Sequence, residues 1–182
     1  MNLPIFLTLL RILFIPGLVV ALLTEFTGKE LTAFIIFVLA ALTDSLDGIV
    51  ARRRKQITAL GKLLDPIADK LLIASALICL IQLGAVSAWM VVIILGREIA
   101  VTGFRAIASS KGVIISASRI AKLKMLFETI TIGILILGEK YLGSFSILGQ
   151  IGLWIVVFTA WMSALEYYIK YGPLVLSKET LE

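Results

Sequence analysis

The sequence predicts an all-α, polytopic membrane protein with six transmembrane helices and both termini in the cytoplasm. Three observations predict it. First, 60% of the 182 residues are hydrophobic, with a mean hydropathy of +1.06, whereas a soluble domain is about 45–50% apolar. A single core of this size cannot hold that excess. Second, apolar runs recur along the whole chain at helical length. Third, the positive charges fall almost entirely on one side of those runs.

The runs Ile12–Leu23, Leu31–Leu42, Leu71–Ile81, Val86–Leu95 and Phe145–Leu165 anchor the spans. Only the last is uninterrupted for the ~20 residues a span requires. The others reach that length when polar residues at their ends are included. Backbone polar groups in hydrocarbon must be satisfied internally, so helices are the default. The spans are placed near 5–24, 31–53, 62–83, 86–108, 119–138 and 145–169. The opening MNLPIFLTLLRILFIP has no basic leader and no small-residue cleavage site, so no cleavable signal peptide is expected. Links are short and no internal repeat stands out, giving one membrane domain over 1–182.

Lys29 and Lys140 are the only cations on one side, 2 of the 17 Lys and Arg. The remaining cations, from Arg11 and Arg52–Lys55 through Arg97, Arg105, Lys122 and Lys124 to Lys178, lie on the other. The positive-inside rule makes that richer side cytoplasmic. The net charge of +5 then reads as a basic face meeting anionic head groups. No soluble nucleic-acid-binding module accompanies it, so nucleic acid is not an expected partner.

The chain has no histidine, which removes Ser-His-Asp catalysis and imidazole metal ligation. Its one cysteine, Cys79, stands in an apolar run. It can form neither an internal disulfide nor a thiolate zinc site, and is expected to be packed in the core or against lipid.

Thr43 to Lys70, TDSLDGIVARRRKQITALGKLLDPIADK, is the informative stretch. Asp44 and Asp47 share a helix face, continued by the small residues Gly48 and Ala51. On the next helix Gly61, Asp65 and Asp69 repeat every four residues. A short basic link makes the two helices antiparallel neighbours, so four carboxylates can converge on one pocket. Charges at membrane depth are costly, and four like charges repel. An oxygen-only ligand set points to a hard divalent cation, and four carboxylates can hold two, the arrangement used for in-line phosphoryl displacement. Two other readings compete. The aspartates can pair with Arg52–Arg54 and Lys70 as interfacial salt bridges. They can also belong to a divalent-cation transporter, although they cluster at one membrane face rather than at mid-depth.

Asp44-x2-Asp47-Gly48-x2-Ala51-Arg52-x8-Gly61-x3-Asp65-x3-Asp69 resembles the signature of the CDP-alcohol phosphotransferases at every fixed position. The resemblance implies that Asp44, Asp47, Asp65 and Asp69 bind metal, Mg²⁺ or Mn²⁺, with two ions per site. It also implies that Asp69 takes the proton from the acceptor hydroxyl, that Gly48 and Arg52 lie against the cytidine diphosphate, and that the protein is a homodimer of six-span chains. A narrower resemblance, to bacterial phosphatidylglycerophosphate synthases, runs through residues 2–124. It is carried by Asn2-Leu3-Pro4 with Thr8 and Arg11, by Gly61–Lys70, by Arg97–Arg105 and by Ser118–Lys124. The chain departs from that pattern at Ile5, Met125 and Glu128.

The narrower resemblance implies transfer of the phosphatidyl group of CDP-diacylglycerol to glycerol 3-phosphate, at the cytoplasmic side of the cell membrane. A phosphorylated acceptor needs cations, and Arg97, Arg105, Lys122 and Lys124 are the candidates, with Glu98 orienting an arginine. Thr8 is either a contact for phosphate or cytidine or bonded back to its own helix. Phosphatidylglycerol (as in a cardiolipin synthase), inositol phosphate and serine remain alternative acceptors.

Overall fold

The computed structural model describes residues 3–54, 59–110 and 119–176, with side chains described for 8–43, 64, 66–109, 125–166 and 168–169. Lys55, Lys111, Ser118 and Lys178, used in the charge and motif arguments, lie outside the described residues.

Six long helices form, and no strand occurs among the described residues: α1 Leu3–Leu23, α2 Lys29–Arg54, α3 Ala59–Gln82, α4 Ala88–Ser110, α5 Arg119–Leu142 and α6 Ile147–Leu176. Each overlaps one of the six expected apolar segments, with starts or ends shifted by one to several residues. The expected end of the fifth at 138 coincides with a break inside α5, where Gly138 has φ 59° and ψ −165°. Helical hydrogen bonding resumes beyond it, and the 3-10 turn Gly143–Ser146 leads into α6. Between α3 and α4 the chain turns through a Schellman cap, with Ala85 N–H bonded to Leu80 O at 2.9 Å and Gly84 N–H to Ile81 O at 2.9 Å. The cap needs a left-handed residue, supplied by Gly84 at φ 72°.

α1 packs chiefly on α2 and α3, α6 packs on α5 and α4, and contacts of α5 with α2 and α3 join the two groups. The three described connections gather at one end, here called the loop end. There Lys140 Nζ meets Glu30 Oε2 at 2.8 Å, and Gln150 Nε2 donates to Ala85 O at 2.8 Å. Trp89 and Trp154 meet near it in a tilted arrangement, with centroids 5.5 Å apart and ring planes at 59°.

The interior follows regular stripes of residues three and four apart, the spacing that keeps one helix face inward. Leu22, Leu18 and Ile15 form the stripe of α1; Ala33, Phe37 and Ala40 that of α2; and Cys79, Ala76, Leu72 and Ala68 that of α3. Met90 and Ile94 do the same on α4, Leu135 and Ile132 on α5, and Leu153, Val156 and Ala160 on α6. Cys79 is core-packed, as its apolar setting predicts.

The outward faces are apolar too. Leu13, Val92, Ile99, Phe158 and Ile169 are each at least 66% exposed. Among the described residues one helical stretch, Met125–Glu166, is long and apolar enough to cross a membrane, and Thr8–Leu23 is a shorter apolar helix.

Candidate active site at the charged end of the bundle

Followed away from the loop end, the interior stripes change character on the same helix faces. On α1 the stripe of Leu18 and Ile15 runs into Arg11 and Thr8, both fully buried. On α4 it reaches Arg97, on α5 Glu128, and on α6 Ser163. On α2 the spacing of Ala33, Phe37 and Ala40 continues through register positions 44, 47 and 51. On α3 the spacing of Leu72 and Ala68 continues through positions 65 and 61, with 69 beside them. The interior is thus apolar at the loop end and polar at the opposite, charged end.

Helix rise puts these positions at similar depth. At about 1.5 Å per residue, Arg11 lies about 18 Å from the loop end of α1. Asp69 lies about 20 Å from that end of α3, and Asp44 about 22 Å from that end of α2.

Asp69 is half-buried and lines an open cleft of about 110 Å³ between α3, α4 and α5. Its polar rim also carries Lys70, Glu98, Glu128 and Thr129, and its walls include Ile73, Leu95, Ile99 and Met125. Glu128 is buried. Thr129 bonds back to Met125 O at 2.9 Å.

Lys70 ties α3 to α4. Its ammonium donates to Glu98 O at 3.3 Å and to Thr102 Oγ1. That fixes the turn of α3 carrying Asp69 against α4. Arg97 ties α4 to α6: Nη1 donates to Glu98 Oε1 and Nη2 to Ser163 Oγ. Its side chain is 9% exposed. Glu98 thus accepts from an arginine, and it also lines the cleft beside Asp69.

The other expected site residues are placed as follows. Asp44, Asp47, Gly48 and Arg52 stand on the last turns of α2, and Asp65 on the second turn of α3. Lys122 and Lys124 stand on the first turns of α5. The side chains of all seven lie outside the described ones. α2 and α3, the two helices that carry the four aspartates, are in contact. Among the described residues no three His, Cys, Asp or Glu side chains gather as a metal site; of the aspartates only Asp69 has a described side chain. Thr8 is buried, Arg105 is exposed on α4, and Arg97 points toward α6 rather than lining the Asp69 cleft.

Sequence reading assigned no role to Ser163, Thr102 or Glu128, and took Arg11 as a cytoplasmic charge and a position of the narrower resemblance without placing it in the interior. For Arg11 the signal was present: it repeats at the spacing of Thr8, Ile15 and Leu18. For Ser163 there was none, because its partner is 66 residues away.

Residues 1–162 match the family described as CDP-alcohol phosphatidyltransferase. A Bacillus subtilis (strain 168) protein named CDP-diacylglycerol–glycerol-3-phosphate 3-phosphatidyltransferase is 38% identical over 183 residues, covering 93% of this chain and 94% of its own. Proteins of the same name from Rickettsia felis and Wigglesworthia glossinidia brevipalpis are 37% and 34% identical. Each alignment covers 92% of this chain and 93% of the relative.

Proposed function

The chain belongs to the CDP-alcohol phosphatidyltransferase family, and we propose that it transfers the phosphatidyl group of CDP-diacylglycerol to glycerol 3-phosphate. The products are phosphatidylglycerol phosphate and CMP, a step of phospholipid synthesis. The relatives that align over nearly the whole chain bear the name of this activity. The observation that carries the chemical reading is the conversion of the interior stripes to polar and charged positions at one end of the bundle.

The four aspartates fit a divalent metal. They supply only hard carboxylate oxygens, from two helices in contact, at register positions that continue the inward faces. In our reading Asp44, Asp47, Asp65 and Asp69 hold two ions, Mg²⁺ or Mn²⁺. Bound there, such ions offset the charge of the diphosphate and of the departing CMP.

The chain's own groups do the rest. Gly48 lets the diphosphate approach the α2 backbone, and Arg52 and Thr8 contact the cytidine diphosphate. Arg97, Arg105, Lys122 and Lys124 receive the acceptor's phosphate. The acceptor hydroxyl oxygen forms a bond to the lipid-linked phosphorus in line with the bond to CMP. That bond breaks with its electron pair going to CMP, and the hydroxyl proton passes to the Asp69 carboxylate. The half-buried position of Asp69 in the cleft supports this role, since water is partly excluded while the cleft stays open to a substrate.

We read residues 1–182 as one domain of six membrane spans in the cell membrane, with both termini and the charged end cytoplasmic. The outward apolar faces and the asymmetry of Lys and Arg support this reading. The family resemblance supports a homodimer.

CMP release by the purified protein in detergent tests the assignment. CDP-diacylglycerol and Mg²⁺ or Mn²⁺ are supplied, and glycerol 3-phosphate, phosphatidylglycerol, inositol phosphate and serine are offered separately. Release with glycerol 3-phosphate alone, abolished by a chelator, is the expected result. Release with a different acceptor replaces the substrate, and release that survives chelation removes the metal.

A further inference from the structure

Arg97 is a permanent cation whose side chain is 9% exposed, so the fold must compensate it. Its neighbour Glu98 accepts from Nη1. Residues adjacent in a helix do not face each other, so this pair by itself does not fix the direction of the guanidinium. The second tie comes from another helix: Nη2 donates to the Ser163 hydroxyl of α6. With both terminal nitrogens engaged, Nε is buried and meets no acceptor among the described residues. A guanidinium clamped at two corners, with a buried donor left over, is arranged to receive an oxygen of an anion.

We propose that Ser163 is a positioning residue for the acceptor's phosphate, acting through Arg97. Its hydroxyl, presented from α6, holds the guanidinium so that the Nε edge stays directed at the phosphate. The proposal rests on the reading above that Arg97 receives that phosphate, and extends the site to α6, on which the aspartate signature places nothing. An alternative role for the bond is plain helix packing between α4 and α6. The two differ in what they do to each substrate: packing is blind to substrate identity, whereas positioning is not.

The test is steady-state CMP release by the full chain in detergent, comparing Ser163→Ala, Ser163→Thr, Arg97→Ala and the double variant Arg97→Ala/Ser163→Ala. The loss of one charge-assisted hydrogen bond predicts a rise in the glycerol 3-phosphate KM of about 10- to 100-fold for Ser163→Ala. The CDP-diacylglycerol KM should be unchanged. Ser163→Thr, which keeps the hydroxyl, should restore the wild-type KM, and the double variant should be no worse than Arg97→Ala. A wild-type acceptor KM in Ser163→Ala, equal shifts for both substrates, or additive losses in the double variant would overturn the proposal while leaving the role of Arg97 intact. Arg97→Ala with an unchanged acceptor KM would overturn both placements. Wild-type protein that releases no CMP with glycerol 3-phosphate would overturn the function itself.

Discussion

Asp69 combines a cleft-facing carboxylate with a backbone held in place by its neighbour, since Lys70 is bonded to Glu98 O and Thr102 on α4. Replacing Asp69 by Asn keeps the shape and removes the proton acceptor. Turnover in CMP release should fall by about 10²- to 10⁴-fold, while the thermal unfolding profile in detergent stays close to wild type. A variant with wild-type turnover would show that another group takes the proton. At the opposite end, the Lys140 hydrogen bond holds the Glu30 carboxyl below its ordinary value of 4.5, and the same bond raises Lys140 above its ordinary 10.5. The fold thus favours the ionised carboxylate. Its contribution is present above 4.5 and is lost as pH falls through the lowered folded-state value. The contribution of Lys140 is present below 10.5 and is lost as pH rises through its raised value. Exposed pairs contribute little, so Glu30→Gln should lower the Tm slightly at pH 7, and the difference should vanish below the folded-state pKa of Glu30.

Between helices, α6 approaches α5 closely at Gly152. A Cβ on Gly152 would stand 2.5 Å from Thr131 Oγ1 and 3.0 Å from its Cγ2, and Thr131 is itself buried. Gly152→Ala should therefore destabilise by about 1–3 kcal/mol through overpacking. Thr131→Ala should recover part of the loss, as thermal unfolding of the two single variants and the double would show. This contact was not legible in the sequence, because a glycine in an apolar run carries no mark of its neighbour. The helices themselves were legible, since their stripes repeat at three and four residues and their ends carry the charges. The helices that carry the aspartates were legible for the same reason: positions 44, 47 and 65 keep the interior period, and 69 stands beside it. What sequence could not supply were the ties between distant helices. Arg97 with Ser163, Lys70 with Thr102, and Glu30 with Lys140 pair residues 32 to 110 positions apart. Arg11 falls between these cases: its period marks it as interior, while its charge suggested the surface.

For the molecule as a whole, the proposed topology places Lys140 and Arg105 on opposite sides of the membrane. Cysteines substituted for them should react with an impermeant maleimide from opposite faces of sealed vesicles. The native Cys79, 3% exposed in the core, should give little background. Labelling of both from the same face would break the six-span arrangement. In the proposed reading the chain is one unit, whose site draws on α1 to α5 and, through Ser163, on α6.

In the proposed six-span placement, the division of the interior into an apolar half and a charged half has an electrical consequence. A catalyst that admits water, metal and anionic substrate from one side of a bilayer opens a path part-way across the insulating layer. Here the remaining distance is filled by close-packed hydrocarbon from all six helices, Leu18, Phe37, Ala76, Ile94, Ile132 and Leu153 among them. The full membrane potential then drops across that plug. Lipid synthesis can proceed in an energised membrane while the ion gradients that power the cell are retained.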